Sequence, residues 1–201
     1  MANRDTDSQL MKLRQDLHIE AELLGKPMQF NTTWGLFSPR AIDEGTLMLL
    51  DHLDVAANET ALDFGCGYGP LGLAIAKSAP QGSVQLIDKD FVAVDYANKN
   101  AEANALPNAK AYLSNALMNV PSEDTFSLIV SNLPAKTGNE LYWLAFNDAK
   151  QRMKPGGKIV VVTINGLRAY MKRSFTDIFG NYKKLKQGKT YTISAAELLP
   201  D

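Results

Sequence analysis

The sequence predicts an α/β fold in which a mainly parallel β-sheet carries helices on both of its faces. From residue 60 onward, short apolar runs typical of strands alternate with segments whose apolar residues recur at helical spacing. A glycine-rich turn joins the first of these strands to the helix that follows it. Two short strand-like runs near the end of the chain predict an antiparallel hairpin. Repeated strand–helix units form parallel sheets, so we expect a seven-stranded sheet with this hairpin at one edge.

The individual elements follow from apolar spacing and from turn residues. The predicted strands cover residues 60–64, 83–88, 109–113, 126–131, 157–163, 181–185 and 190–194. The predicted helices cover residues 40–53, 69–79, 91–104, 138–152 and 166–179. Ser38 and Pro39 are typical of an N-cap and a first helical turn, so we expect them to begin the first of these helices.

The segment before residue 40 predicts a helix and a short hairpin. Leucines at helical spacing predict a polar helix over residues 5–24, and residues 29–37 predict the hairpin. The chain has 201 residues, of which 45% are hydrophobic and 21% charged, as in an ordinary globular domain. We therefore expect an N-terminal helical extension, residues 1–28, followed by one domain, residues 29–201.

The stretch of residues 61–69, which ends in the glycine-rich turn, predicts a ligand-binding site. Gly65, Gly67 and Gly69 follow an apolar strand and precede an alanine-rich helix. Glycine admits positive φ and a close approach of the backbone to a ligand, and the helix N-terminus offers unpaired N–H groups. Asp88 ends the next predicted strand, about twenty residues on, where nucleotide-binding βαβ units hold a ribose diol. A ligand that contains a ribose is therefore expected.

The spacing of the glycines and the acid before them favours a cationic ligand over a dinucleotide. The pattern is G-x-G-x-G, whereas dinucleotide-binding turns have G-x-G-x-x-G. Asp63 would repel a pyrophosphate and suits an amino-acid ammonium or a sulfonium. The single cysteine, Cys66, lies in the same turn, and we interpret it as a small packing residue rather than a nucleophile.

A second polar site follows the strand predicted over residues 126–131. That apolar strand ends in Asn132, Leu133 and Pro134. Because ligands bind beyond the carboxyl ends of strands in doubly wound sheets, Asn132 is expected across one crevice from the acids that follow the other strands. An asparagine before a proline is also an ordinary turn residue, and the preceding glycine-rich turn favours the functional interpretation.

These motifs resemble those of a known enzyme family. Residues 63–69 (DFGCGYG) resemble motif I of class I S-adenosylmethionine (SAM) methyltransferases. Residues 132–135 (NLPA) resemble motif IV, N-P-P-F/Y, of methyltransferases that act on amino groups, and residues 153–158 (MKPGGK) resemble the turn before the fifth strand. Residues 35–38 (GLFS) and 42–46 (IDEGT) are similar to the lead-in of the small-domain methyltransferase family, whose best known members methylate the exocyclic amine of guanine in ribosomal RNA.

The resemblance covers residues 29–195 and implies a Rossmann-like class I methyltransferase domain that uses SAM. It implies cofactor contacts from Phe37, Thr46, Asp63, Gly65, Cys66, Gly67, Gly69, Asp88, Lys89, Asn115 and Asn132. Asp63 would lie near the methionine ammonium, Asp88 at the ribose hydroxyls, and Lys89 or Phe91 beside the adenine. The implied catalytic residues are Asn132, Leu133 and Pro134. The Asn132 side-chain oxygen and the Leu133 carbonyl would accept hydrogen bonds from the target amine.

The chain departs from motif IV at two positions. Leu133 replaces the first proline but keeps the backbone carbonyl. Ala135 replaces an aromatic residue, which removes a stacking contact worth about 1–3 kcal/mol per base. Trp34, Tyr68 or Trp143 could supply a ring in its place, or these rings could simply pack in the core.

Basic residues are concentrated in the last quarter of the chain, although the net charge is −1. The cluster that we consider for RNA binding consists of Arg168, Lys172, Arg173, Lys183, Lys184 and Lys186. Such a segment is typical either of a nucleic-acid footprint or of a solvated helix face.

Other classes of site are not expected. No run of about 18 apolar residues is present, and the first ten residues have no apolar signal region, so we expect no membrane span and a cytoplasmic protein. His18 and His52 lie far apart in the sequence with no cysteine or acidic cluster around them, so no metal site is expected.

The resemblance thus implies a SAM-dependent methyltransferase that acts on an amino nitrogen, with ribosomal RNA guanine-N2 as the favoured target. A methyltransferase for a small molecule or a protein is the first alternative, and the loss of the stacking aromatic favours it. A SAM-binding module without catalysis is the second. A nicotinamide-dependent enzyme is disfavoured by the glycine spacing.

Overall fold

The computed structural model describes residue 11, residues 15–134 and residues 138–199. The nine strands that it describes are β1 Leu17–Leu23, β2 Lys26–Thr32, β3 Thr60–Phe64, β4 Ser83–Asp88, β5 Ala109–Leu113, β6 Phe126–Asn132, β7 Met153–Ile164, β8 Lys183–Gln187 and β9 Tyr191–Glu197. Seven of them form one sheet in the order β5-β4-β3-β6-β7-β9-β8. Strands β3 to β7 are parallel to one another, whereas β9 is antiparallel to both β7 and β8. The predicted α/β class, the seven strands and the C-terminal hairpin are confirmed.

Helices cover both faces of the sheet. The described helices of seven or more residues are α1 Glu44–Leu50, α2 Pro70–Ser78, α3 Phe91–Ala103, α4 Asn139–Gln151 and α5 Arg168–Phe179, and a 3-10 turn, Asn165–Leu167, precedes α5. Apolar residues of α1, α2 and α3 pack on one face, and those of α4 and α5 pack on the other. Successive side chains of each central strand point to opposite faces of the sheet. Leu128 of β6 therefore packs in the apolar cluster with α1, α2 and α3, and Ile129 packs in the cluster with α4 and α5.

The order of the strands places a crevice beside β3. Strand β3 pairs with β4 on one side and with β6 on the other. The connection after β3 therefore runs to one half of the sheet, and the chain later returns to the other half at β6. Such a reversal opens a crevice beyond the carboxyl ends of the two neighbouring strands, which is where doubly wound folds bind ligands.

The helix predicted over residues 5–24 is wrong for residues 17–23, whereas residue 11, which the structure also describes, is helical. Residues 17–23 form β1, which pairs with β2 in an antiparallel hairpin. The alternation of Ile19, Ala21 and Leu23 has the period of a strand, and burial of Ile19 and Leu23 on one face stabilises that strand. Leu24 and Gly25 both have positive φ, 50° and 70°, as the two central residues of a tight hairpin turn require.

Two further local predictions need correction. The hairpin predicted over residues 29–37 is wrong, because residues 29–32 belong to β2 and pair with residues 17–20. Residues 5–10 and 12–14 of the predicted N-terminal helix lie outside the described residues. Strand β2 runs across residue 28, and the division of the chain into residues 1–28 and 29–201 stays a prediction.

Helix α1 is shorter than predicted and begins at a different cap. Asp43, rather than Ser38, is its N-cap, and the Asp43 Oδ2 atom accepts hydrogen bonds from the backbone nitrogens of Gly45 (2.8 Å) and Thr46 (3.3 Å). The Ser38 hydroxyl instead donates to the Ala41 carbonyl. Asp is as good an N-cap as Ser, and this choice places the Asp43 carboxylate at the crevice.

Candidate functional site

A cavity of about 480 Å³ lies beyond the carboxyl ends of β3, β4 and β6. The predicted site residues that line it are Phe37, Thr46, Asp63, Gly65, Cys66, Gly67, Asp88, Lys89, Asn115, Asn132, Leu133 and Pro134. Gly69, which was also predicted as a cofactor contact, is outside the lining. Residues that come from well-separated parts of the chain therefore meet around one space.

The glycine-rich turn forms one wall of the cavity and anchors α2. The backbone nitrogens of Gly65 and Cys66 donate to the Ile87 carbonyl of β4, at 2.8 and 3.1 Å. Gly67, with φ of 56°, has nothing within 4 Å of the position that a Cβ would occupy, so its backbone borders open space. Gly69, with φ of 94°, is the N-cap of α2, and a Cβ there would lie 2.9 Å from the Leu73 side chain. Gly69 is required for packing of the turn against α2 rather than for lining the cavity.

Asp88 ties the end of β4 to the glycine-rich turn. One carboxylate oxygen, Oδ2, accepts from Gly67 N at 2.9 Å, and the other accepts from Asp90 N at 3.0 Å. Asp90 in turn caps α3 through Val92 N. The acid thus holds the turn against the strand end while still lining the cavity.

Asp63 is a buried carboxylate at the end of β3. It is 1% exposed, and its Oδ2 atom accepts from Gly72 N of α2 at 2.8 Å. The pKa of Asp63 is raised to about 7, chiefly by burial, against the hydrogen bond from Gly72, which lowers it, and with a smaller increase from the negative charge of Asp88. Within residues 15–134 and 138–199, no basic side chain forms an ion pair with Asp63 or Asp88. This wall of the cavity therefore favours a cation.

Asn132, the last residue of β6, has a defined side-chain orientation. Its Nδ2 atom donates to Asp43 Oδ2 at 2.9 Å and to Thr46 Oγ1 at 3.0 Å. A carboxylate can only accept hydrogen bonds, so the nitrogen of the amide must face Asp43. No donor among the described residues reaches the other end of the amide, Oδ1, which is left free for a ligand. Thr46, predicted as a cofactor contact, thus lines the cavity and also holds Asn132.

Asp43 and Tyr191 are functional candidates that the sequence did not single out. The Tyr191 hydroxyl donates to Asp43 Oδ1 at 3.0 Å, and both residues line the cavity. Burial, and then the bond to Asp43, raise the pKa of Tyr191 above its usual range. Asp43 lies in the IDEGT stretch, so the resemblance of that stretch to the family could have indicated it. Tyr191 is 148 residues away from Asp43 in the sequence, and no local pattern links the two.

The segment after Asn132 is hydrogen-bonded both to the neighbouring strand β7 and to helix α4. Leu133 N donates to the Val162 carbonyl of β7 at 3.0 Å, and the Tyr142 hydroxyl of α4 donates to the Pro134 carbonyl. Tyr142 also lines the cavity and was not predicted. Ala135, which takes the place of the family's aromatic, lies outside the described residues.

Of the three rings predicted as substitutes for that aromatic, Tyr68 lines the cavity, and Trp34 and Trp143 do not. Tyr68 is nonetheless a packing residue, because its hydroxyl donates to the carbonyls of Ser38 and Ala41 and its ring meets Phe30 edge-on. Burial raises the pKa of Tyr68 far above its usual range. Tyr68 is therefore held by the protein itself.

The remaining lining residues differ in exposure and in chemistry. Phe37 is 65% exposed, and Asn115 is exposed with Nδ2 at 3.9 Å from Met118 Sδ. Lys89 is in the lining, whereas Phe91, the other residue predicted beside the adenine, is outside it. Burial raises the pKa of the Cys66 thiol well above its usual value, which agrees with a packing role for that cysteine.

The basic cluster is exposed at one end of the sheet. All six of its residues are exposed, on α5 and on the edge strand β8. The side chains of Arg168 and Lys184 both donate to Gln187 Oε1, at 2.9 and 3.1 Å, which joins the helix and the strand into one surface. None of the six forms an ion pair with the acids that the structure describes.

The described part of the chain contains no group of three or more His, Cys, Asp or Glu side chains placed to hold a metal ion. Its helices are all too short or too polar to cross a bilayer.

Comparison with known proteins supports the resemblance seen in the motifs. The model of the methyltransferase small domain matches residues 27–195. The protein YbxB of Bacillus subtilis is 34% identical over 141 residues, which is 70% of each chain. The ribosomal RNA small subunit methyltransferase C of Pseudomonas entomophila is 34% identical over 153 residues, 74% of this chain and 45% of that one.

A solved structure also matches most of the chain. The 16S rRNA N2 methyltransferase RsmC of T. thermophilus, in complex with SAM and guanosine, superposes with a TM-score of 0.81 at 29% identity. The match covers 90% of this chain and 50% of that chain. This chain thus spans about half the length of the ribosomal RNA methyltransferases that it matches. The glycine-rich turn and the placement of Asn132 agree with the family match. Because that match covers residues 27–195, the chain belongs to the methyltransferase small domain family.

Proposed function

We propose that the protein transfers a methyl group from SAM to an amino nitrogen, and that the nitrogen is the exocyclic amine of guanine in RNA. The observation that carries the proposal is the amide of Asn132, whose nitrogen is held by Asp43 and Thr46 and whose oxygen is left for a donor. An amino group is such a donor. The site therefore suits an amine as the methyl acceptor.

The charge of the cavity wall suits SAM. SAM carries a sulfonium and an ammonium, and the two buried or half-buried carboxylates of Asp63 and Asp88 face the cavity without a basic partner among the described residues. Asp63 would receive the ammonium, Asp88 the ribose hydroxyls, and Lys89 and Asn115 would flank the adenine. The open backbone at Gly67 leaves room for close approach. The bound cofactor supplies an activated methyl group.

The protein's own contribution to transfer is positioning. The Asn132 Oδ1 atom and the Leu133 carbonyl accept the two hydrogens of the target amine, which turns the nitrogen lone pair away from them. Leu133 N is bonded to β7, and the following Pro134 carbonyl accepts from Tyr142, so the backbone that presents the carbonyl is restrained on both sides. Holding two reactants in line removes much of the entropic cost of a bimolecular step.

The charge of the surface next to the cavity supports RNA as the substrate. Ile164 and Tyr191 line the cavity. The basic residue Arg168 follows Ile164 along the chain, and the basic residue Lys189 precedes Tyr191. Two of the relatives described above are named as ribosomal RNA methyltransferases, and the solved structure of one of them contains guanosine. A ribosomal RNA substrate agrees with the cytoplasmic location that the sequence predicts.

The second candidate is a methyltransferase for a small molecule or a protein. It is favoured by Ala135, which lacks the ring that stacks on a flipped base in motif IV. A SAM-binding module without catalysis would use the same cavity. It differs from both candidates because it would bind SAM without transferring the methyl group.

The test uses radiolabelled methyl transfer from SAM by the purified full chain. The acceptors are ribosomal RNA transcribed in vitro, a protein fraction and a metabolite fraction, with Asn132→Ala as the inactive control. Label in RNA, recovered as N2-methylguanosine after nuclease digestion, supports the proposal. Label confined to the protein or metabolite fraction overturns the RNA substrate. SAM binding without label in any fraction favours the non-catalytic module.

A further inference from the structure

Three elements that are distant in sequence meet at the side chain of Asn132. Tyr191 at the start of β9 donates to Asp43 Oδ1, and Asn132 at the end of β6 donates to Asp43 Oδ2. Asp43 itself is the N-cap of α1. We call Asp43 and Tyr191 together the amide clamp.

Asp43 decides which end of the Asn132 amide faces the cavity. The other partner of the amide nitrogen, the Thr46 hydroxyl, can either donate or accept, so it would satisfy the amide in both orientations. The carboxylate of Asp43 can only accept. A flipped amide would place its oxygen against a carboxylate oxygen at the 2.9 Å now spanned by a hydrogen bond, and two acceptors at that distance repel.

Asp43 is held in turn by three donors besides Asn132. Its Oδ2 atom accepts from Gly45 N and Thr46 N of α1, and its Oδ1 atom accepts from the Tyr191 hydroxyl. The cap fixes one oxygen and the tyrosine fixes the other, so the plane of the carboxylate is set. That rigidity is transmitted to the amide of Asn132, whose rotamer must match both Asp43 and Thr46.

We propose that Asp43 and Tyr191 are positioning residues that restrict the site to hydrogen-bond-donating acceptors, by holding the Asn132 amide with its oxygen toward the substrate. This inference rests on the proposed function and deepens it. A carboxylate, a carbonyl oxygen or an unprotonated ring nitrogen would meet a lone pair of Oδ1 instead of a donor. An amino group meets an acceptor.

Three variants separate this role from capping of α1. Asp43→Ser keeps a good N-cap but is too short to reach both Asn132 and Tyr191. Asp43→Asn keeps the length, and its amide oxygen can replace Oδ2 at the cap and at Asn132. Tyr191→Phe removes the donor to Oδ1 and leaves the ring. The matched control is Tyr112→Phe, which deletes a tyrosine hydroxyl bonded to Gln85 outside the cavity lining.

The expected pattern is a loss of turnover without a loss of cofactor binding. Asp43→Ser lowers kcat for RNA about tenfold or more, the factor that one lost hydrogen bond of roughly 1.4 kcal/mol represents. Asp43→Asn recovers part of that loss, and Tyr191→Phe loses less than Asp43→Ser. The Kd for SAM, measured by calorimetry, stays within about twofold in all three, because the hydrogen bonds of the clamp go to α1 and to the amide of Asn132, and not to Asp63 or Asp88, the acids proposed to hold the cofactor.

A second readout does not depend on activity. In 15N-correlated NMR spectra, the side-chain NH2 signals that disappear in Asn132→Ala belong to Asn132. Hydrogen exchange of these protons is expected to be slower in the wild type than in Asp43→Ser, and unchanged in Tyr112→Phe. Equal exchange in the wild type and Asp43→Ser overturns the clamp, whether or not the protein methylates RNA.

The outcomes distinguish the inference from the function on which it rests. If the wild type methylates no RNA while the exchange of the Asn132 amide depends on Asp43, the proposed function fails and the clamp stands as a structural fact. If the wild type is active and Asp43→Ser keeps its kcat, the inference fails alone. A weaker Kd for SAM with unchanged kcat also overturns it, because Asp43 would then act on the cofactor.

Discussion

Asp63 Oδ2 lies 2.8 Å from the backbone nitrogen of Gly72 and joins the end of β3 to the first turns of α2. The carboxylate is 1% exposed and has no ion-pair partner among the described residues. A buried acid of this kind destabilises the folded protein when it is charged. We infer that the charge is retained because a cationic ligand compensates it, so that stability and cofactor binding are opposed at this residue.

Removing the charge of Asp63 is expected to stabilise the protein at alkaline pH. The folded pKa of about 7 lies above the unfolded value of 3.8, so the folded state binds more protons between these values. Stability therefore falls as the pH rises from about 4 to about 7, by on the order of 4 kcal/mol. Asp63→Asn has no such loss, and its gain in the free energy of unfolding should be large at pH 8 and shrink toward zero at pH 4.

Urea unfolding at pH 4, 6 and 8 measures this prediction, and the exposed Asp177→Asn on α5 is the matched control. The control should stay within about 0.5 kcal/mol of the wild type at every pH. A gain in Asp63→Asn that does not depend on pH would contradict the buried charge.

Gly72→Ala is expected to destabilise the fold at the same contact. A Cβ at Gly72 would lie 2.7 Å from Leu86 Cδ2 and 2.9 Å from Asp63 Oδ2, and both of those side chains are buried. Overpacking of this kind costs about 1–3 kcal/mol. Gly166→Ala, whose nearest neighbour is 3.8 Å away, is the control and should change stability by about 0.5 kcal/mol or less. Equal unfolding midpoints for the two variants would show that the helix can move away from β3.

Cofactor binding and transfer are expected to separate between Asp88 and Asn132. Asp88→Ala removes the acid that would hold the ribose and also frees Gly67 N, so the Kd for SAM should rise about tenfold or more. Asn132→Ala should leave that Kd nearly unchanged and lower transfer about a hundredfold, since it acts on the acceptor amine. Calorimetry and labelled methyl transfer measure the two effects. If both variants reduced only binding, the role proposed for Asn132 would be wrong.

RNA binding is expected to depend on the basic edge of the sheet. Lys184 is exposed on the edge strand β8, and Lys110 is exposed on β5 at the opposite edge. Lys184→Gln should weaken RNA binding and reduce the slope of log K against log salt by about 0.7–0.9, the amount for one lost phosphate contact. Lys110→Gln is the charge-matched control. Equal slopes for the two variants in a filter-binding titration would place the RNA elsewhere.

The sheet from β3 to β6 could be predicted from the sequence because each element carries its own local signal. The strands at 60–64, 83–88 and 109–113 have the predicted bounds, and the glycine-rich turn between β3 and α2 lies where its spacing indicates. The acids at the ends of β3 and β4 and the asparagine at the end of β6 meet because parallel strands bring their carboxyl ends to one edge.

Other features depend on contacts that local patterns do not encode. The leucines before residue 25 fit a helical period, and the alternation of Ile19, Ala21 and Leu23 became decisive only because β1 pairs with β2. The bond from Tyr191 to Asp43 spans 148 residues and exists because β9 inserts between β7 and β8. The cavity wall that carries Asp63 and Asp88 could therefore be predicted from the sequence. The hydrogen bonds of Asp43 and Tyr191 behind Asn132 could not.

Calorimetric titration of the purified chain with SAM, S-adenosylhomocysteine and NAD⁺ tests the central claim most directly. Cofactor sites of this kind are expected to bind SAM and S-adenosylhomocysteine in the micromolar range, about −8 kcal/mol, and not to bind NAD⁺. Asp88→Ala should weaken both of the observed affinities. A folded protein that binds neither SAM nor S-adenosylhomocysteine would contradict the assignment of the cavity to SAM and, with it, the proposed methyl transfer.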